Sequence, residues 1–429
     1  MKKRLIRATL SIVYLVLLGC THSHNGYLPT LEACKNIRFI SQMDLSNLVA
    51  SNYPVALPSS GNNEPESTPR NAIGVIIPLS GKWESVGQKI LKGIEIAGGV
   101  FSNGAAQNIE YIIRDYGNNE DSIPSIIDEL DRTQKVVAII GPVGEHAGDI
   151  ACKEAQARHL PAIIFTQAEI TPKIGTYCYR NFLTIDLQAK ALLNAASSMG
   201  IRRFAVMIPD DRFGKTFAEK FQRLSPSFGI TILKSITYSP QSVDFKQQLK
   251  TLFSGGKKTP AKGRPGDISL GKGGDIEAIL IPDTAANAAM IASYISYLNI
   301  KNIRLFGPTL WDTPDLLKAG GRYIENAVFL SGYYHGTILS AAQDFNRSFT
   351  NTFHYSPSVW EACAFDVAQI LQAYTQSQKP SREALKDYLA SLKNFHGVSG
   401  TTSFSSDGTL EKTIYLLTIK GGIIYEIHP

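Results

Sequence analysis

The sequence predicts an α/β protein made of two Rossmann-like lobes, each with a parallel sheet, facing each other across a cleft. Three observations predict it. From Asn71 onward, near-continuous apolar runs of strand length alternate with helix-periodic segments, as parallel strands covered on both faces require. The alternation passes through four rounds and then begins again, end to end. A chain of 429 residues, 44% of them apolar and 19% charged, is also too long for one ordinary core.

The elements follow in order. NAIGVIIPL, IEYIIRDY, VVAIIGP and PAIIFTQ are the strands of the first run. GQKILKGIEIAG, SIIDELDRTQ and GDIACKEAQARH supply the helices between them. The second run alternates LQAKALLNAASSMG, KTFAEKFQRL, DFKQQLKTLF and NAAMIASYISYLN with the strands RRFAVMIPD, GITILKSITY, IEAILIPD and IRLFGPTLW. It is interrupted at residues 254–275, where glycine, proline and lysine dominate without an apolar period, so an exposed, mobile basic loop is expected there. Beyond residue 335 come the helices PSVWEACAFDVAQILQAYTQ and REALKDYLASL, then TTSFSSDGTL with a hairpin-type turn at Asp407-Gly408, and the strands TIYLLTIK and GIIYEIH.

Residues 1–20 pair a basic MKKRLIR with an apolar segment too short to span a bilayer and close on Leu17-Leu18-Gly19-Cys20. That ending resembles a bacterial lipobox, which implies lipidation of the Cys20 thiol; a plain secretory signal or an uncleaved anchor is the alternative. Residues 21–70, with VALPSSGNNEPESTPR, read as a flexible tether. The +6 formal charge lies partly in the leader and partly in the 254–275 loop, so no nucleic-acid footprint is expected. In an exported chain Cys152 and Cys178 flank one βα unit and could pair, although no spacing rule demands it. No cysteine falls in a metal-ligand spacing, and neither a metal nor a cofactor is expected.

Enzyme signatures fail. Phe213-Gly214-Lys215-Thr216 imitates the tail of a phosphate-binding loop, but Pro209 stands where the motif needs glycine. HExxH, GxSxG and a GxGxxG after the first strand are missing, so a non-enzymatic protein is expected.

IGVIIPLSGKWESVGQKILKGIEIA, RDYGNNED, VVAIIGPVGEHA, YCYRNFLTIDLQAKAL, MIPDDRFGKTFAEKF, AFDVAQILQAY and VSGTTSFSSDGTL together resemble the type I periplasmic binding proteins, in the leucine/isoleucine/valine-binding branch. The resemblance implies three crossovers between lobes. Residues 71–182 and 336–400 would form one lobe, 183–335 and 401–429 the other. The wording of IPLSGKW, GPVGEHA, RNFLT and IPDDRFG is similar to that of penicillin-binding protein activator lipoproteins, which implies a docking module acting on a bifunctional peptidoglycan synthase. The alternative is a solute receptor for an ATP-driven importer of amino acids or another small ligand. Thr21 after Cys20 favours anchoring in the outer membrane, facing the periplasm.

In this fold the strand-end loops line the cleft. They contribute the candidates Ser80, Trp83, Glu145, His146, Thr166, Gln167, Phe213, Asp283, Thr309 and Trp311. In the amino-acid receptors, hydroxyls of the first lobe take the ligand's carboxylate and an acidic residue of the second takes its ammonium. Here the serine-rich turn is replaced by Gly144-Glu145-His146. Glu145 fits better as a partner of its own helix dipole than as a ligand contact. Trp83, Phe213 and Trp311 either make an aromatic cleft suited to a sugar or apolar ligand, or pack the lobe interface.

Overall fold

The computed structural model describes residues 71–101, 109–168, 177–254, 276–377, 380–405 and 410–428. The leader with Cys20, the tether, nearly all of the 254–275 loop and the Asp407-Gly408 turn lie outside the described residues. Among the described residues no helix is long and apolar enough to cross a membrane.

Lobe 1 carries five parallel strands in the order β2-β1-β3-β4-β5: β1 (Ala72–Ile77), β2 (Glu110–Asp115), β3 (Ala138–Val143), β4 (Ala162–Phe165) and β5 (Cys178–Arg180). Every residue of β1 is buried. The two-residue strand period sends Ile73, Val75 and Ile77 to one face, against Ile90 and Ile94 of the helix Glu84–Ala97 and Val367 and Leu371 of the helix Val359–Ser377. Ala72 and Ile76 go to the other face, against Ile126, Ile127 and Leu130 of the helix Ile123–Arg132 and the alanines of the helix Glu145–Ala157. That double cover is why the strand shows no polar alternation. Cys152 and Cys178 form a disulfide with Cα atoms 5.2 Å apart, joining the helix Glu145–Ala157 to β5.

Lobe 2 is a seven-stranded sheet in the order β15-β14-β10-β9-β8-β6-β7. β6 (Arg203–Pro209), β7 (Thr231–Tyr238), β8 (Ala278–Leu280), β9 (Arg304–Gly307) and β10 (Val328–Ser331) run parallel. β14 (Tyr415–Lys420) and β15 (Ile423–Glu426) close one edge antiparallel, so this sheet is mixed where a parallel one was expected. The reason is the crossover: β14 begins opposite the end of β10, Tyr415 against Ser331, because the chain leaves and re-enters lobe 2 at the same end of the sheet. A hairpin through Gly421 and Gly422, both at positive φ, then lays β15 back on β14.

Three segments carry the chain between lobes: after β5, after β10 and before β14. The first two pack together near Val359. A β-carbon on Gly332 would stand 2.8 Å from Val359 and 3.6 Å from Leu183. Phe182 stacks on Trp360 beside them at 4.4 Å. The boundary expected at 400/401 is corrected by the third passage. β11 (Phe395–Gly397), β12 (Gly400–Phe404) and β13 (Leu410–Lys412) form a separate antiparallel sheet. Phe404 and Leu410 are buried in the lobe 1 core, so the chain reaches lobe 2 only at about residue 414. Helix and strand periods end near 400, but which core receives the next apolar residues is decided by packing.

Candidate functional site: the cleft between the lobes

The loop after β1 is tied down by Asp115. Its carboxylate accepts from Leu79 N–H (2.8 Å), the Ser80 hydroxyl (2.7 Å) and Gly117 N–H (2.8 Å). Ser80 therefore braces the scaffold. Trp83 is 46% exposed, with Lys82 Nζ 5.2 Å from its ring centroid, and remains available to a ligand.

Gly141 (φ 95°), within the last residues of β3, and Gly144 (φ 101°), just beyond its end, turn the chain. At Gly141 a β-carbon would lie 2.1 Å from Ile76 O, so glycine is required twice over, by conformation and by space. Gly144 N–H donates to Phe165 O at 2.9 Å, and the helix begins at Glu145. The Glu145 side chain does not fold back on its own helix. It spans the cleft, and its Oε1 accepts from Nη2 of Arg212, in lobe 2, at 2.5 Å. His146 is exposed.

A second contact joins the lobes at the end of β4. Gln167 Nε2 donates to Thr309 Oγ1 at 3.5 Å, while Thr309 donates through both N–H (3.0 Å) and hydroxyl (3.1 Å) to Gln188 Oε1. Gln188 is fully buried and donates in turn to Leu183 O in the first crossover. Thr166 is buried, its hydroxyl accepting from Ala168 N–H within its own turn. Asn181, also fully buried, has no protein partner for either side-chain polar atom.

The remaining lobe 2 candidates pack into or against their own lobe. Trp311 is 0% exposed and lies flat on Gly307, where a β-carbon would stand 2.0 Å from the indole. It is a core residue, which corrects its place in an aromatic cleft. Asp283 is 4% exposed and engaged by the Tyr238 hydroxyl (2.6 Å), Thr284 N–H (2.6 Å) and Asn287 Nδ2 (2.8 Å). It fastens the end of β7 to the helix Ala285–Tyr297 and is corrected from ligand contact to scaffold. Phe213 is half-buried, its ring 5.8 Å from Phe217, and belongs to the rim of the core. Beside it Asp211 caps the helix Arg212–Leu224 through Gly214 N–H at 2.7 Å, and Asp210 is paired with Lys215.

Asp312 stands behind the loop, half-buried, and takes the Ser331 hydroxyl at the end of β10. Burial pushes its carboxyl up to about 6, against the opposing pull of that hydrogen bond. Two concavities, of about 690 Å³ along Ile230–Ser235 and about 420 Å³ between Phe345, Phe365 and His396, lie away from the cleft. Among the described residues no group of three or more His, Cys, Asp or Glu could hold a metal ion.

The architecture has known counterparts. A family model described as "Periplasmic binding protein" matches residues 72–422. The chain belongs to the periplasmic binding protein family. Members of this family are binding proteins, not enzymes, and the chain shares their two-lobed fold. No curated protein matches it. Among solved structures it is similar to the branched-chain amino acid substrate-binding protein LivJ of Streptococcus pneumoniae in complex with isoleucine, with 23% identity, 85% of this chain and 100% of that chain covered, and a TM-score of 0.64. The leucine-binding protein LivK of Thermotoga maritima gives 19%, 83%, 97% and 0.63 on the same measures. A solute-binding protein of R. palustris in complex with benzoate gives 18%, 83%, 95% and 0.63. Within this periplasmic binding protein fold, Ser80, Thr166, Gln167 and Thr309 bind one another or the scaffold, while Trp83 and His146 stay exposed. Arg212 and Gln188 were not singled out from the sequence, because nothing local marks a residue by the lobe it faces.

Proposed function

We propose that the protein is a non-enzymatic solute receptor that takes a small ligand between its lobes and delivers it to a transporter. The observation that carries this reading is the meeting of strand-end loops from two separate sheets across one cleft, bridged by the polar side-chain contacts Glu145–Arg212 and Gln167–Thr309. Such contacts exchange for a ligand more readily than packed apolar ones. Solved relatives of the same fold hold isoleucine, leucine or benzoate. We infer further that the chain is exported and anchored through Cys20 in the outer membrane, on the wording of its first twenty residues.

A second reading is a regulatory docking module resembling the penicillin-binding protein activators. One observation favours it: Glu145 places a charge where an amino-acid receptor would place hydroxyls, and Arg212 already neutralises it. Thermal unfolding of the full chain in amino acids, aromatic acids, sugars and muropeptides separates the two. A ligand at 100 times its Kd adds about 2.7 kcal/mol of stability. A shift with a free small solute supports the receptor. Absence of any shift, together with stimulation of a peptidoglycan synthase by the chain, would replace it with the docking module.

A further inference from the structure

The cleft is crossed by the protein's own charge. Glu145 is the first residue of one helix and Arg212 the first residue of another, in opposite lobes, and their side chains meet at 2.5 Å. Two helix N-termini thus face one small space, and the partial positive charge of each adds to the guanidinium there. The neighbouring carboxylates are otherwise engaged, Asp211 in capping its helix and Asp210 with Lys215. What sits on Arg212 is therefore a carboxylate, supplied by lobe 1 of the same molecule.

We propose that the Glu145–Arg212 pair is an autoinhibitory latch. It holds the lobes together without a ligand, and a ligand enters by offering Arg212 an anionic group in place of Glu145. The inference rests on the receptor reading above and adds to it how the cleft is gated and which charge the ligand must bring. Exposure fits the role: the Arg212 side chain is 81% and the Glu145 side chain 44% accessible, so water and salt weaken the pair enough for exchange. The Gln167–Thr309 contact is neutral and lies on a different strand end, so it can keep the lobes in register while the latch is open. A latched cleft also lowers apparent affinity by the fraction of molecules that are open.

The test compares the full chain with Glu145→Gln and Arg212→Gln, both surface changes that leave either core untouched. Calorimetry would use leucine and benzoate as carboxylate probes and benzamide as a neutral control. Glu145→Gln should bind the carboxylates about two- to fivefold more tightly than wild type, the range an exposed pair can hold back, and Arg212→Gln should lose them. Hydrogen exchange without ligand provides a second readout. Both variants should exchange faster than wild type around residues 144–147 and 211–214, and wild type should approach them as salt rises. Carboxylate binding that is unchanged in Glu145→Gln would overturn the latch and leave the receptor standing. Benzamide binding as well as benzoate would likewise remove the anionic requirement. If none of the probes binds wild type or Glu145→Gln, the latch falls, and the receptor reading stands or falls on the wider solute screen above.

Discussion

Replacing Asp312 by Asn should flatten the dependence of folding stability on pH. Burial raises this carboxyl from its ordinary 3.8 to about 6, against the hydrogen bond from Ser331. A raised acid binds its proton more tightly in the folded chain. Its contribution is therefore full below 3.8 and is lost as pH rises through 6. The gap corresponds to a ceiling of about 3 kcal/mol, of which about 1.4 kcal/mol falls between pH 5 and 7.5. Asn keeps the shape and a hydrogen-bonding group for Ser331 but cannot ionise. Urea unfolding of both proteins at pH 5 and pH 7.5 measures the difference of differences. Wild type should lose more stability than Asp312→Asn on that rise, by up to about 1.4 kcal/mol. Equal losses would show that Asp312 ionises without cost, and that its surroundings are wetter than the Ser331 contact indicates. Glu95, raised to about 7 by burial despite Lys92, acts with the same sign and remains in both proteins, so it cancels in the comparison.

Three further outcomes follow from the packing. Reducing the Cys152–Cys178 disulfide, or replacing both cysteines by serine, should cost about 2–4 kcal/mol of lobe 1 stability, from a loop of 26 residues; an unchanged urea midpoint on adding reductant would contradict it. Gly307→Ala should cost about 1–3 kcal/mol by driving a methyl group into the Trp311 indole, and indole fluorescence should report the displaced ring. Trp83→Ala should leave stability within about 0.5 kcal/mol, because the ring is half exposed, so any loss of ligand affinity in that variant reads binding alone. For the anchor, Cys20→Ala should abolish incorporation of a labelled fatty acid and release the protein from the membrane fraction; labelling that persists would place the acyl chain elsewhere.

The sequence by itself determined the layer structure and the location of the cleft loops. Both are properties of short stretches: the period of NAIGVIIPL against that of GQKILKGIEIAG, and the glycines that turn GPVGEHAG from strand to helix. Tertiary structure alone decided what the loop side chains do. Glu145 and Arg212 lie 67 residues apart and meet because two lobes face each other, which no local pattern encodes. Trp311 and Asp283 follow strand ends like true cleft residues, yet one fills the space over Gly307 and the other ties Tyr238 to Asn287. Phe404 and Leu410 look no different from the apolar residues of β14, but they bury in the other lobe. Burial rewards any apolar side chain alike, at about 25 cal/mol per Å², so the pattern says that a residue goes inside and the crossovers say which inside.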